Sequence, residues 1–357
     1  MKGKLLIINP GSTSTKIAVY VDGQEMWKES IEHSRDDVKK FNDPMDQVDW
    51  RQELVLDTVK KHGEDLKTLS AVVSRGGPFA SVRSGAYEVS DEMLEISRTR
   101  PLNKHISRIG MAIARRIADP LGIKAYIYDA VSVDEMIPLV RIVGLKAMKR
   151  LSMGHMLNMR AAAIKFCKDS NLDYYSKNIL VCHMGGGSSL SLHAKGRVID
   201  MITDDEGPFA PERAGGLPGY QLVHMCFNSG ADEKEMISRI QGKGGLVDML
   251  GTADAREVEK LIADGDENAK LIYEAMALAI AKNLAKLAVV VDGQIDAIIL
   301  TGGVSYSKML TNWVEQRVKF IAPVHVLPGE NEMKALAEGG YRVLSGEEKA
   351  HIYSEND

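Results

Sequence analysis

Two stretches of this chain follow one plan, and that repetition restricts the folds open to it. Near the start an apolar run, Leu5-Leu6-Ile7-Ile8, leads into Asn9-Pro10-Gly11-Ser12-Thr13-Ser14-Thr15-Lys16. The alternating run Ile17-Ala18-Val19-Tyr20-Val21 and an Asp22-Gly23 turn follow. Much later, Ile179-Leu180-Val181-Cys182 leads into His183-Met184-Gly185-Gly186-Gly187-Ser188-Ser189, then Leu190-Ser191-Leu192-His193 and a Lys195-Gly196 turn. Each reads as strand, Gly/Ser turn, strand and hairpin turn. Glycine lets backbone N–H groups come close to an anion, and hydroxyls with a nearby lysine add donors. One such turn usually only joins strands. Two on matching frameworks point to a duplicated fold that grips one polyphosphate from both sides.

A length of 357 residues leaves room for two domains with their own cores. The formal net charge of -4 gives no sign of a general nucleic-acid surface. Cys167, Cys182 and Cys226 are odd in number and lack metal-type spacing, which suits core thiols in a reducing cytoplasm. The longest apolar stretch, 275–291, is broken by Lys282, Asn283 and Lys286 and does not span a membrane. No leader-like segment opens the sequence. The expectation is a soluble, cytoplasmic protein without nucleic-acid or membrane partners.

Between the repeats, strands and helices alternate. Helices are expected over 51–62, 91–97 and 107–118, and strands over 70–74, 86–89 and 125–128. In open α/β sheets ligands sit beyond the carboxyl ends of strands, and Asn9, Arg75 and Asp129 each stand at such an end. A helix over 152–168 leads into the second repeat, and a Pro/Gly-rich loop over 207–219 carries Glu212-Arg213. Helices over 220–227, 233–240, 255–263 and 268–291 precede a strand over 297–300, which turns at Thr301-Gly302-Gly303. A helix over 306–320, a strand over 324–327 and a closing helix from 331 complete the pattern, with a loose polar tail after Ser345. Gly242-Lys243-Gly244-Gly245, lying between helices, reads as a capping turn. The domain boundary is expected in or beside the helix over 152–168, giving 1–160 plus about 330–357 and 161–329 as the two domains.

Asn9 to Lys16 resembles the first signature of the acetate and butyrate kinase family. That family belongs with sugar kinases, Hsp70 and actin in a superfamily of duplicated ribonuclease-H-like domains, α/β throughout, with a cleft between them. The similarity runs over nearly the whole chain. Ser74-Arg75-Gly76-Gly77 resembles the family's Arg-x-x-x-Gly-Gly region in shortened form, Asp129 the aspartate ending the next strand, and His155 the catalytic histidine. His183-Met184-Gly185-Gly186-Gly187 resembles the second phosphate loop, and Glu212-Arg213 the loop with the second active-site arginine. Asp254-Ala255-Arg256 resembles the Asp-x-Arg that contacts adenosine, Gly302-Gly303 the adenosine-side glycine pair, and Glu332 the late metal-associated glutamate. Proline after Asn9, three glycines in the second loop and the short chain are closer to the butyrate kinase branch. The chain departs from acetate kinases at Gly186, where they carry Asn, and at Met153-Gly154-His155, which shortens a longer His-rich segment.

What the resemblance implies is a carboxylate kinase using ATP or ADP and Mg²⁺, with a short-chain carboxylate or acyl phosphate as the other substrate. It further implies a homodimer or higher homo-oligomer, an acyl and phosphate side in the first domain and a nucleotide side in the second. The residues agree with this chemistry. Phosphoryl transfer needs in-line positioning and positive charge about three equatorial oxygens, and no Walker A motif occurs here. Asn9, Gly11, Ser12, Ser14 and Lys16 in one turn, with His183, Gly185, Gly186 and Gly187 in the other, are the phosphate-holding candidates. Arg75 and Arg213 offer paired donors to carboxylate and phosphoryl oxygens. A carboxylate acceptor is already ionised at neutral pH, so Asp129 and Glu332 suit Mg²⁺ better than they suit general base work. Taken alone, Asp254 reads as a helix N-cap and Arg256 as an exposed helix residue; their nucleotide role rests on the resemblance. Phe79 and Phe209 are candidate walls of the acyl pocket. Two other readings stay open at this point: an acetate, propionate or sugar kinase on the same scaffold, and a nucleotide-gated binding protein of the Hsp70 or actin type.

Overall fold

The computed structural model describes residues 2–355. The chain divides into two compact units, Met1–Asp134 with Asn331–Asp357, and Glu135–Glu330. In the first, β1 (Lys4–Pro10), β2 (Ser14–Val21) and β3 (Gln24–Glu32) form an antiparallel meander. β4 (Ala71–Arg75) and then β6 (Lys124–Tyr128) add in parallel on the other side of β1. β5 (Ala86–Glu88) and the short strand His351–Ile352 finish that edge.

The second unit repeats the order. β7 (Asn178–Met184), β8 (Ser188–Ala194) and β9 (Arg197–Ile202) form the meander, and β10 (Ala297–Gly302) and β11 (Val324–Pro328) add in parallel beyond β7. The strand order β3-β2-β1-β4-β6 is thus matched by β9-β8-β7-β10-β11. Even the irregularity recurs: the register shifts at Val19/Tyr20 in one meander and at Leu192/His193 in the other. Both units have the ribonuclease-H-like arrangement, and the duplication is structural as well as sequential.

The central strands are apolar because both faces are covered. Leu5, Leu6, Ile7 and Ile8 on β1 are completely buried, as are Ile179, Leu180, Val181 and Cys182 on β7. Each such side chain contributes roughly 1.5–3 kcal/mol on burial. In the first unit the helices Ile109–Ala118 and Glu332–Leu344 pack on β1, β4 and β6. In the second, Tyr273, Met276, Ile280 and Leu284 of the helix Glu267–Ala288 pack on the sheet with Leu180, Leu190 and Leu300.

Three features differ from the sequence expectation. The first division falls ahead of residue 135, because the helix Met156–Asp169 packs on β7 and β10 and belongs wholly to the second unit. The tail is anchored: His351–Ile352 pairs with β5, Tyr353 meets the ring of Phe79 edge-on at 5.3 Å, and Glu355 pairs with Arg100. Phe79 itself is completely buried, so it is core of the first unit and not a wall that a substrate can reach.

Gly77 is packed closely against backbone just past the end of β4. A Cβ there would lie 2.4 Å from the Arg108 amide nitrogen and 2.5 Å from its Cα. Backbone cannot yield as a side-chain tip does, so Gly77→Ala should lower unfolding free energy by about 1–3 kcal/mol. The urea midpoint should fall with an unchanged slope; an unaltered midpoint would refute this account of the packing.

Candidate active site

In the first unit β1, β4 and β6 are neighbours, and their carboxyl ends carry Asn9, Arg75 and Asp129 side by side. Glu332, the first residue of the last helix, joins two of them. Asn9 Nδ2 donates to its Oε2 at 2.6 Å, and Arg75 Nη1 lies 2.9 Å from its Oε1. Arg75 and Glu332 side chains are only 17% and 13% exposed, so this pair is poorly screened by solvent. The contacts leave two polar atoms without a hydrogen bond: Asn9 Oδ1 and Arg75 Nε are both buried and unpartnered. Native proteins leave few such groups, and each costs about 1–3 kcal/mol when nothing binds it.

Asp129 is nearly buried and adopts a positive φ of 40°. Its carboxylate accepts the Gly85 amide at 2.7 Å, while its own amide donates to the Gly85 carbonyl. The Gly/Ser turn lies beside Asn9. The Gly11 amide closes on the Ser14 carbonyl at 2.8 Å, leaving Ser12 exposed and Ser14 half-buried. Lys16 pairs across the strands with Asn9 and is exposed, so its ammonium projects from the same sheet face.

The turn is held from behind by a residue that sequence reasoning did not nominate. Arg51, completely buried on the helix Val48–Lys61, donates to the carbonyls of Gly11, Ser14 and Ser12 and to Thr15 Oγ1. His33 Nε2 lies 2.8 Å from the same hydroxyl, and the His33 amide donates to the Thr13 carbonyl. No spacing rule marks an arginine on the inner face of an ordinary amphipathic helix.

The second unit has its own cluster. His183, one residue before the end of β7, is completely buried, and neither ring nitrogen makes a hydrogen bond. Its Nε2 is 3.2 Å from Glu330 Oε1, an ion-pair distance without hydrogen-bonding alignment. The His155 ring stacks on His183 at 4.1 Å and 19°, and its Nδ1 lies 3.1 Å from Ser189 Oγ. His155 immediately precedes the helix Met156–Asp169, so the helix start fixes the ring over β7. The turn Gly185–Gly187 closes with the Gly185 amide on the Gly187 carbonyl at 2.9 Å. The loop bearing Arg213 is tied to that turn by the Glu212 amide, which donates to the Gly186 carbonyl at 2.8 Å. Arg213 Nε donates to Asp204 Oδ2 at 2.9 Å and its Nη1 to the Glu212 carbonyl. Glu330 and Asp204 were not foreseen; both come from loops whose approach only the folded chain reveals.

Gly302 meets a strict requirement at the end of β10. Its φ of 92° and the Met184 carbonyl oxygen, 2.4 Å from where a Cβ would sit, exclude any larger residue. Gly303 opens onto free space at the start of the short helix Gly303–Tyr306. Asp254 and Arg256 pair with each other instead of reaching either glycine turn. Asp254 caps the helix Ala255–Ala263 by accepting the Arg256 amide, and the Arg256 guanidinium clamps its carboxylate at 2.6 Å. That clamp lowers the Asp254 carboxyl to about 2. Arg256 is 90% exposed.

Comparisons with known proteins fit this architecture. The crystal structure of Porphyromonas gingivalis acetate kinase superposes with a TM-score of 0.80 at 19% identity, covering 96% of this chain and all of that one. The chain therefore has the actin-like ATPase fold, with its two duplicated units. Butyrate kinase 2 of Clostridium acetobutylicum is 42% identical over 355 residues, 99% of this chain and 100% of its own length. Butyrate kinase 1 of the same organism is 44% identical over 352 residues, 98% of this chain and 99% of its own. A model of the acetokinase family matches residues 163–350. The chain belongs to the acetokinase family.

Burial holds two histidines neutral and makes stability pH-dependent. Burial, then the charge of Arg51, lowers His33 from 6.5 to about 4. Burial, then Arg160, lowers His193 to about 3, between the hydroxyls of Tyr174 and Ser191. A folded value below the unfolded one means that the unfolded chain gains a proton first. Stability is therefore complete above pH 6.5 and declines as pH falls towards 4. His33→Gln should flatten that decline by about 1–3 kcal/mol in denaturant titrations across the window. An unchanged slope would refute the assignment.

Proposed function

We propose that the protein transfers the γ-phosphate of ATP directly to a short-chain fatty acid, butyrate or a branched acid such as isobutyrate. The products are an acyl phosphate and ADP, and the reaction runs in either direction. The observation that carries this reading is the set of buried polar atoms without partners. Asn9 Oδ1 and both His183 ring nitrogens lie at the carboxyl ends of the equivalent strands β1 and β7, beside the two Gly/Ser turns, and Arg75 Nε lies at the end of β4, the neighbour of β1. Strand ends with unsatisfied donors and acceptors are sites held ready for a polar ligand. The identity to two butyrate kinases along almost the whole chain supports the choice of acceptor.

Each group has a role in this mechanism. The first turn and Lys16 hold phosphate oxygens through amides, hydroxyls and one ammonium, and the turn Gly185–Gly187 does the same in the second unit. Arg75 and Arg213 bind the carboxylate and the equatorial oxygens as charge redistributes. Their present carboxylate partners, Glu332 and Asp204, keep the guanidinium planes fixed until substrate arrives. His155, stacked on His183, donates to the transferring phosphoryl. The acceptor needs no general base, because it is already a carboxylate.

Asp129, after the end of β6, and Glu332, the helix residue that accepts from Asn9, fit Mg²⁺ by donor chemistry, since both offer hard carboxylate oxygens. Among the described residues no group of three or more His, Cys, Asp or Glu forms a metal cage. A cation sharing one or two carboxylates with substrate phosphates needs none. An ion held there would offset the charge of the phosphate oxygens. The first unit takes the acyl and phosphate side in this reading, and the second takes the nucleotide, with Gly302 and Gly303 at the adenosine.

The same reading has a cytoplasmic homo-oligomer. No helix among the described residues is long and apolar enough to cross a membrane, and Cys167, Cys182 and Cys226 are unpaired. The helix Gly219–Asn228 buries none of its ten residues, and Tyr220 and Phe227 are 91% and 84% exposed. A second copy covering that helix accounts for so much apolar surface on a folded chain. Phe227→Asp should then halve the mass seen in sedimentation; an unchanged mass would place the contact elsewhere.

The test of activity is hydroxylamine trapping with Mg²⁺ and ATP over acetate, propionate, butyrate, isobutyrate and isovalerate. Butyrate or a branched acid should give the highest kcat/KM, and a maximum at acetate or propionate would change the acceptor. One methylene is worth only about 1–3 kcal/mol, so neighbouring acids should differ by no more than a few hundredfold. Arg75→Ala and Arg213→Ala should each lower kcat by about 10³ or more. The exposed Arg256→Ala should leave kcat within about threefold, because its role is confined to nucleotide affinity. ATP binding without acyl hydroxamate from any acid would support a nucleotide-gated binding protein instead.

A further inference from the structure

A buried cation lies under the first phosphate turn, and nothing among the described residues neutralises it. Arg51 is completely buried, and its hydrogen-bond partners are all uncharged: Gln47 Oε1, Thr15 Oγ1 and the carbonyls of Gly11, Ser12 and Ser14. Among the described residues no carboxylate pairs with it. Burial lowers its pKa to about 10, which still leaves it a cation at neutral pH. His33, which shares the Thr15 hydroxyl with it, is held neutral. Anchoring a turn does not require this, since a neutral amide side chain could tie the same carbonyls without desolvating a charge.

The geometry of the peptide unit gives the arrangement a direction. In a trans peptide the carbonyl and the following N–H point opposite ways. Drawing the Gly11 and Ser12 carbonyls inward towards Arg51 therefore turns the Ser12 and Thr13 amides outward. Both residues are exposed, and neither amide donates a hydrogen bond within the described protein. The result is a pair of outward N–H groups backed by an unneutralised positive charge, an arrangement that attracts an anion.

We propose that Arg51 is the positioning residue of the first phosphate turn: its fork sets the outward amides, and its unpaired charge strengthens their hold on phosphate. The inference rests on the reading of this turn as a phosphate site. Arg51 touches no substrate. It acts through Gly11, Ser12 and Ser14, and the helix Val48–Lys61 carries it there because its inner face also buries Val48, Val55 and Val59.

The test compares ATP with adenosine, which lacks the phosphates, by calorimetry on the full chain, with thermal unfolding recorded alongside. Arg51→Gln should weaken ATP by at least about tenfold and leave adenosine within about twofold. Arg51→Lys, which keeps the charge but loses the fork, should fall between the two. Unchanged ATP affinity in Arg51→Gln, or equal losses for ATP and adenosine, would overturn the proposal. Should Arg51→Gln fail to fold, Arg51→Lys and Gln47→Leu carry the test. Gln47→Leu frees Nε and should lower the ratio of ATP to adenosine affinity by about threefold or more, and an unaltered ratio in both variants overturns the idea. An unmodified chain that makes no acyl hydroxamate, yet whose ATP affinity responds to Arg51, would refute the carboxylate acceptor and leave this inference standing. An active chain indifferent to Arg51 would refute only the inference.

Discussion

Parallel pairing of β1 with β4, repeated by β7 with β10, is the constraint on which everything else rests. Strands paired this way are covered on both faces, so their interiors admit only apolar side chains. Polar chemistry is excluded until the strand stops. Asn9, Arg75, Asp129 and His183 are therefore gathered at strand ends by the same physics that builds the cores. The tight Gly/Ser turns follow directly from two of those ends.

Two kinds of restraint keep the ends in order. In the first unit Glu332 bridges Asn9 and Arg75, so the closing helix and two strands share one carboxylate. In the second unit the order comes from stacking and backbone, with His155 over His183 and the Glu212 amide on the Gly186 carbonyl. Both leave some polar atoms unsatisfied, a local cost of the kind that functional sites tolerate and cores do not.

Much of this was legible in the sequence, for reasons that the structure makes plain. The repeated strand, turn and strand pattern could be read because apolar runs, glycine pairs and hairpin turns are local signals, and both meanders formed as expected. The helices over 233–240 and 255–263 were equally plain, each opened by a capping aspartate. Arg51, Glu330 and Asp204 were not legible, since their importance comes from which backbone they meet after folding. Asp254 and Arg256 show the reverse case: the helix cap foreseen from the residues alone is what formed, with the arginine clamped on it. The tail misled because two residues of edge pairing and one aromatic contact leave almost no mark on composition.

The discontinuous first unit has a consequence for how the molecule is made. β1 is translated well ahead of the helix Glu332–Leu344 that packs on it and on β4. Asn9 waits through 323 positions of chain for the carboxylate that completes its contact. The inserted unit, by contrast, is contiguous and can mature while still tethered to the ribosome. Until the start of the helix Glu332–Leu344 has been made, Asn9 and Arg75 lack the carboxylate that joins them, however well the segments before it have folded.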